Sequence, residues 1–269
     1  MTVNPSAPPE PPAPGPVPLV SSLEGPAGAP VVVLGNSLGT TRAVWEPQQA
    51  LLRRHFRLLR YEHRGHGGSP APAGPYTIGQ LGADVLALLD GYGIERAAYC
   101  GISLGGMIGL WLAANAPGRI AALGLCCTSA YLPPASLWTE RARQVRSAGM
   151  GAIAQQVVVG RWFTPQFGAR QPSVPASFVT QVEATDPEGY AGCGEAIAAM
   201  DLRPSLASVT APTLVIAGAE DPATPPWHGA VIASGITGAR LTVIRGAAHL
   251  ANVSAAGEVG SALLGFLPR

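Results

Sequence analysis

The segment Gly101-Ile102-Ser103-Leu104-Gly105 sits directly between an apolar run, Ala97 to Ile102, and a helical pattern, Gly105 to Ala114. A chain that goes from strand to helix through a single residue must turn sharply. Glycines on either side of that residue remove the Cβ atoms that would collide with neighbouring backbone. The turn therefore predicts a strand–turn–helix unit of a parallel sheet, with the Ser103 hydroxyl raised at a helix N-terminus. The helix dipole at that point favours developing negative charge.

The rest of the chain keeps the same rhythm. Short, mostly apolar runs at Val31 to Leu34, Phe56 to Tyr61, Ile120 to Cys126, Thr213 to Ala217 and Leu241 to Ile244 suit strands covered on both faces. Helical patterns occupy Ile78 to Leu89, Pro226 to Ala233 and Glu258 to Leu267. Alternation of this kind predicts an α/β fold, a mostly parallel central sheet flanked by helices. Residues 129–203 break the rhythm, being helical in character and carrying Trp138, Trp162, Phe163, Phe167 and Tyr190. They are expected to form an inserted helical cap over the C-terminal strand edge, where open sheets bind ligands. Residues 19–128 and 204–269 then make the core. Residues 1–18, dominated by Pro and Ala, are expected to be an extended tail without stable structure.

A serine hydroxyl is a weak nucleophile until a base takes its proton. When the nucleophile lies in such a turn, the acid and then the histidine follow it in the chain. His55, His63 and His66 precede Ser103, and His228 stands too close to the candidate acid to come from the next strand's loop. His249, after the last apolar run, is the expected base. The loop after Thr213 to Gly218 reads Ala219-Glu220-Asp221-Pro222; Asp221 is the expected acid, with Glu220 as its neighbour and competitor. Asp221 would hold the His249 tautomer and stabilise the imidazolium. Two backbone N–H donors are needed for the oxyanion. One is expected from Leu104 and the other from the turn Gly35-Asn36-Ser37-Leu38-Gly39, at Leu38 or the adjacent Ser37. The turn Tyr61-Glu62-His63-Arg64-Gly65-His66-Gly67 matches neither a metal-binding nor a phosphate-binding pattern and is read as a structural loop organised by Arg64.

A formal net charge of +1 gives no electrostatic reason to expect nucleic acid or an anionic membrane as partner. All the basic side chains are arginine. The four cysteines, Cys100, Cys126, Cys127 and Cys193, form no CxxC, and buried free thiols are expected. Together with the lack of a signal-peptide pattern or a long apolar span, this points to the cytoplasm. The chemistry calls for no cofactor and no metal. Oligomeric state is not legible.

These motifs resemble the α/β-hydrolase fold, and in particular the 3-oxoadipate enol-lactonase family. The resemblance rests on Asn36-Ser37-Leu38-Gly39-Thr40, Arg64-Gly65-His66-Gly67 and Cys100-Gly101-Ile102-Ser103-Leu104-Gly105-Gly106. In the cap it rests on Trp138-Thr139-Glu140-Arg141, Val145-Arg146, Arg161-Trp162-Phe163-Thr164 and Pro187-Glu188-Gly189-Tyr190-Ala191-Gly192-Cys193. Beyond the cap it continues through Met200-Asp201-Leu202-Arg203, Ala217 to Pro226 and Ala248-His249-Leu250-Ala251-Asn252. It implies a serine esterase that opens a small anionic lactone, in the β-ketoadipate route of aromatic catabolism. Such a substrate carries a carboxylate, so the pocket should offer a cation. Arg141 is the candidate, with Trp138 as an apolar wall; Trp162 and Tyr190 are read as cap core.

Overall fold

The computed structural model of the chain describes residues 15–269. Among them one sheet contains β1 (Ser21–Glu24), β2 (Val31–Gly35), β3 (Arg57–Tyr61), β4 (Ala97–Ile102), β5 (Ile120–Cys126), β6 (Thr213–Gly218) and β7 (Arg240–Ile244). Their spatial order is β1-β3-β2-β4-β5-β6-β7. β1 runs antiparallel to β3, and every other neighbouring pair is parallel. The central strands β4 and β6 are buried along their whole length, as their continuous apolar runs require. β1, in contrast, is half-buried at the sheet edge with the sequence Ser-Ser-Leu-Glu, which carries no β-branched signal and was not expected as a strand.

Helices α1 (Glu46–Leu52), α2 (Ile78–Gly91) and α3 (Leu104–Asn115) connect the first strands. Thr77 and Gln80 form a reciprocal capping box at the start of α2. α3 packs on β2, β4 and β5. Between β5 and β6 come α4 (Ala135–Ala148), α5 (Gly151–Val158), α6 (Pro165–Arg170), α7 (Ser173–Glu183) and α8 (Pro187–Ala199), the inserted helical cap. α4 and α8 make its most extensive helix pair. The core closes with α9 (Pro226–Gly235), which packs on β6 and β7, and with α10 (Ala251–Ser254) and α11 (Ala256–Phe266), the latter packing against α1 and β6.

The cap is tied to the core by backbone hydrogen bonds from Asp186 N–H to Gly65 O (3.0 Å) and Leu250 N–H to Trp162 O (3.0 Å), while Leu202 N–H to Ala130 O (2.8 Å) joins the two ends of the cap. Of the expected tail, residues 1–14 lie outside the described residues, while Val17 N–H donates to Asp84 Oδ1 (2.9 Å). All four cysteines are free and buried, and burial pushes each thiol's pKa up. Among the described residues no helix is long and apolar enough to cross a membrane.

Candidate active site

The strand order reverses direction around β2, so the chain ends of β2 and β4 open a crevice of the kind in which α/β sheets bind ligands. The two strands are neighbours, with Gly35 paired to Gly101. The turn after β2 and the turn after β4 therefore lie side by side, joined by Gly105 N–H to Asn36 O (2.8 Å). Ser103 occupies the second turn with φ 54° and ψ −117°, a strained left-handed conformation for a residue with a side chain. Glycine at 101 and 105 permits it: a Cβ on Gly101 would overlap Gly105, and one on Gly105 would overlap Gly35. Ser103 N–H to Cys126 O (3.0 Å) and Thr128 Oγ1 to Ser103 O (2.6 Å) hold the turn to β5 and the loop that follows it.

Asp221 and His249 come from the loops after β6 and β7, whose backbones are bonded to each other through Ala219 N–H to Ile244 O and Glu220 N–H to Ala247 O (both 2.9 Å). His249 Nδ1 donates to Asp221 Oδ2 at 2.8 Å, with both side chains buried. The other Asp221 oxygen accepts Ala223 N–H (2.8 Å) and Thr224 N–H (3.0 Å), and Thr224 Oγ1 donates to Oδ2 (2.7 Å). Burial pushes the Asp221 carboxyl up, but the His249 charge and these hydrogen bonds outweigh it and hold the acid below its usual pKa. Glu220, its competitor on sequence grounds, is exposed. With Nδ1 committed to Asp221, His249 keeps Nε2 as its free acceptor.

Ser103 and His249 line one cavity of about 300 Å³. Among the described residues no hydrogen bond joins the Ser103 hydroxyl to His249 or to another group. Leu38 and Ser37 line the same cavity. In their turn Gly39 N–H is taken by His66 Nε2 (2.9 Å) and Thr40 N–H by Ser37 O (3.1 Å). Leu38 N–H and Leu104 N–H, the latter in the first turn of α3, have no protein acceptor among the described residues. Two free donors beside a strained serine suit a developing oxyanion.

The loop read as structural carries more of this site than its sequence indicated. Arg64 is fully buried and forms a bidentate pair with Asp84 (2.6 and 2.8 Å). Its carbonyl accepts His66 Nδ1–H (2.8 Å), which fixes the tautomer and leaves Nε2 to accept from Gly39. His63 Nε2 donates to Asn36 O (2.8 Å), and Asn36 Nδ2 donates to Tyr61 O (2.6 Å). Burial lowers the pKa of His63 to about 3 and of His66 to about 4, so both are neutral clamps on the turn after β2.

The cap supplies the remaining wall. Arg141 and Trp138 both line the cavity, with the Arg141 guanidinium carbon 5.1 Å from the Trp138 ring centre. Trp162 and Tyr190, read as cap core, are buried but line the cavity too. Arg161, on the turn after α5, was singled out only within a motif and proves to be a second cation of the lining. Burial, then the neighbouring Arg141 charge, weakens its hold on its proton.

Compared with known proteins, residues 30–158 match the family model described as alpha/beta hydrolase fold. 3-Oxoadipate enol-lactonase 2 of Acinetobacter baylyi is 41% identical over 229 residues, 85% of each chain. The crystal structure of the enol-lactonase from Burkholderia xenovorans LB400 is 44% identical with a TM-score of 0.89, covering 92% of this chain and 95% of its own. A RutD of Variovorax paradoxus, named provisionally as a carbamate hydrolase, is 31% identical over 94% of this chain and 97% of its own.

Proposed function

Because this chain belongs to the α/β-hydrolase family that contains the 3-oxoadipate enol-lactonases, we propose that it hydrolyses 3-oxoadipate enol-lactone to 3-oxoadipate in the breakdown of aromatic compounds. The observation that carries this reading is the composition of the cavity. A serine and a carboxylate-held histidine line its core side, and unpaired arginines line its cap side. An acyl-transfer centre facing cations suits an ester that also bears a carboxylate.

Ser103 Oγ attacks the lactone carbonyl carbon while His249 Nε2 takes its proton. The carbonyl oxygen, now an alkoxide, receives the Leu38 and Leu104 N–H groups. Collapse breaks the ring C–O bond and leaves the acyl group on Ser103. The departing oxygen is enolate-like, a better leaving group than a simple alkoxide, and His249 returns the proton to it. The freed enol tautomerises to the ketone, which opposes re-closure. Water, deprotonated by His249, then attacks the acyl carbon and releases the diacid, restoring the Ser103 hydroxyl. Asp221 keeps Nδ1 of His249 protonated throughout and stabilises the imidazolium. Arg141 and Trp138 take the substrate's carboxylate and its ring. Every proton in this sequence is carried by substrate, water, Ser103 or His249, so no cofactor enters.

The test is turnover of the enol-lactone against that of a simple aryl ester and of a carbamate. Lactone hydrolysis with the highest kcat/KM of the three is expected. Rapid aryl-ester or carbamate cleavage with no lactone turnover rejects the substrate assignment in favour of another esterase or amidohydrolase of this fold. Failure of a fluorophosphonate to label Ser103 in the folded protein rejects catalysis through that serine.

A further inference from the structure

Arg141 and Arg161 line the same cavity, and neither forms an ion pair with any carboxylate among the described residues. Among the described residues no Asp or Glu lines that cavity; Asp221 stands behind His249. Both arginines are only partly exposed. Tyr190, buried on the same wall, feels both charges, which work against burial's upward push on its hydroxyl. Elsewhere in the cap Arg146 is matched by Glu188 and Glu195 and Arg143 by Glu140, while Arg170 is exposed and away from the cavity. Two like charges sharing a half-desolvated wall repel each other, and a charge removed from water without a counterion is costly. An anion seated between them removes both costs. A guanidinium fork matches a carboxylate in shape as well as charge.

We propose that Arg141 and Arg161 together form a carboxylate seat remote from the reacting bond, so that the cavity binds small dicarboxylates end to end. One acid group lies at the arginines. The other lies over Ser103, where the Leu38 and Leu104 N–H groups receive it. The second position rests on the reading under Proposed function, since hydrolysis of the lactone creates that new carboxylate; the arginine seat does not. The product of the reaction is then a better occupant of the free site than the substrate, having one more anion to place. Unreactive diacids of similar length inhibit competitively.

Adipate is the probe. The wild-type protein is expected to bind it by calorimetry, and adipate is expected to compete with an aryl ester. Hexanoate, which can place only one acid group, binds ~10-fold or more weakly. Losing one charge-assisted contact in Arg141→Ala or in Arg161→Ala raises the adipate Kd by ~10–100-fold. Arg161→Lys recovers part of the loss, and Arg170→Ala, an exposed cation away from the cavity, leaves the Kd as it was. In both alanine variants the ratio of kcat/KM for an anionic to a neutral ester falls ~10-fold or more. Should an alanine variant fold poorly, the Arg161→Gln and Arg141→Gln proteins, which keep the side chain's bulk but not its charge, carry the same comparison. Adipate binding that ignores both arginines, or equal losses on anionic and neutral esters, overturns the proposal. If the lactone is not turned over but adipate binding still needs both arginines, the seat stands and the lactonase reading falls. If the lactone is turned over with a KM indifferent to both, the reverse holds.

Discussion

The core side of the cavity and its cap side treat their polar groups in opposite ways. On the core side nearly every donor and acceptor is committed within the protein: Asp221 accepts four hydrogen bonds, and the turn after β2 is gripped by His63, His66 and Gly105. Besides the buried Asn36 Oδ1 and Arg64 Nη1, what is left free there includes a set that matches an acyl transfer, namely the Ser103 hydroxyl, His249 Nε2 and the Leu38 and Leu104 N–H groups. On the cap side two guanidiniums lack a counterion among the described residues. Groups satisfied by the fold hold a fixed geometry, which bond-making needs. Groups left unsatisfied are completed by the ligand, and they determine which ligand enters. Chemistry and selection are thus carried by separate parts of the chain that meet at one cavity.

The strongest challenge to this division is to remove the free groups of the core side. Ser103→Ala is expected to lower kcat by ~10⁴–10⁶-fold, and Asp221→Asn, which presents His249 with the wrong partner, by ~10⁴-fold. Adipate affinity at the arginines should survive in Ser103→Ala. Stopped assays on enol-lactone and calorimetry on the same preparations make the comparison. A serine variant that loses both turnover and adipate binding breaks the separation of the two sides.

Next in size is the clamp behind the oxyanion turn. His66→Ala removes the acceptor of Gly39 N–H and frees the turn that carries Leu38. Loosening one oxyanion donor costs ~10²-fold in kcat, with little change in KM. His66→Gln, whose amide oxygen can also accept, should regain part of the rate. Stability gives a second readout. His66 is neutral in the folded protein down to about pH 4, against an ordinary value near 6.5. As pH falls from 7 to 5 the unfolded chain gains a proton that the folded one refuses, so the stability contributed by neutral His66 is full above pH 6.5 and is lost on the way to 4. Wild-type stability minus that of His66→Gln therefore falls between pH 7 and pH 5, as urea midpoints will record. Glu62, raised to about 7 by burial, titrates in both proteins and cancels in the difference; His63, which burial and then the His66 charge lower to about 3, is neutral in the folded wild type across this window.

The two sides also differed in how far the sequence revealed them. Ser103, Asp221 and His249 follow strand ends; β4 and β6 announce themselves through apolar runs buried along their length, whereas β7, expected to be covered on both faces, is an edge strand with Arg240 and Val243 exposed. β1 escaped because half its surface meets water, and α1 because its start follows a short turn of helix, Arg42–Trp45, instead of a polar cap. His66 looked like part of a loop since its partner, Gly39, lies 27 residues away in the chain. Arg161 carried no periodic signal at all. What distinguishes it from unpaired surface arginines such as Arg170 is that it lines the cavity beside Arg141, a fact that only three dimensions can supply. Arg141 was found by asking what the substrate needs, and the same question put to the whole cap would have raised Arg161 as well.

The smallest expected effect concerns a cap arginine that does have partners. Arg146, on α4, reaches Glu188 (2.7 Å) and Glu195 (2.5 Å) on α8 and so staples the most extensive helix pair of the cap. All three side chains keep a fifth to a third of their surface in water, which screens the pairs. Exposed pairs of this kind contribute ~1 kcal/mol or less each. Arg146→Ala should therefore lower Tm by only ~2–5 °C, and added salt should narrow the gap between wild type and variant. Its adipate Kd should stay within ~2-fold of wild type, well short of the ~10-fold set by one charge-assisted contact. A loss of adipate binding as large as that of Arg161→Ala would mean that any cation in the cap draws the anion through the general field. The distinction between paired and unpaired arginines would then have no bearing on selection.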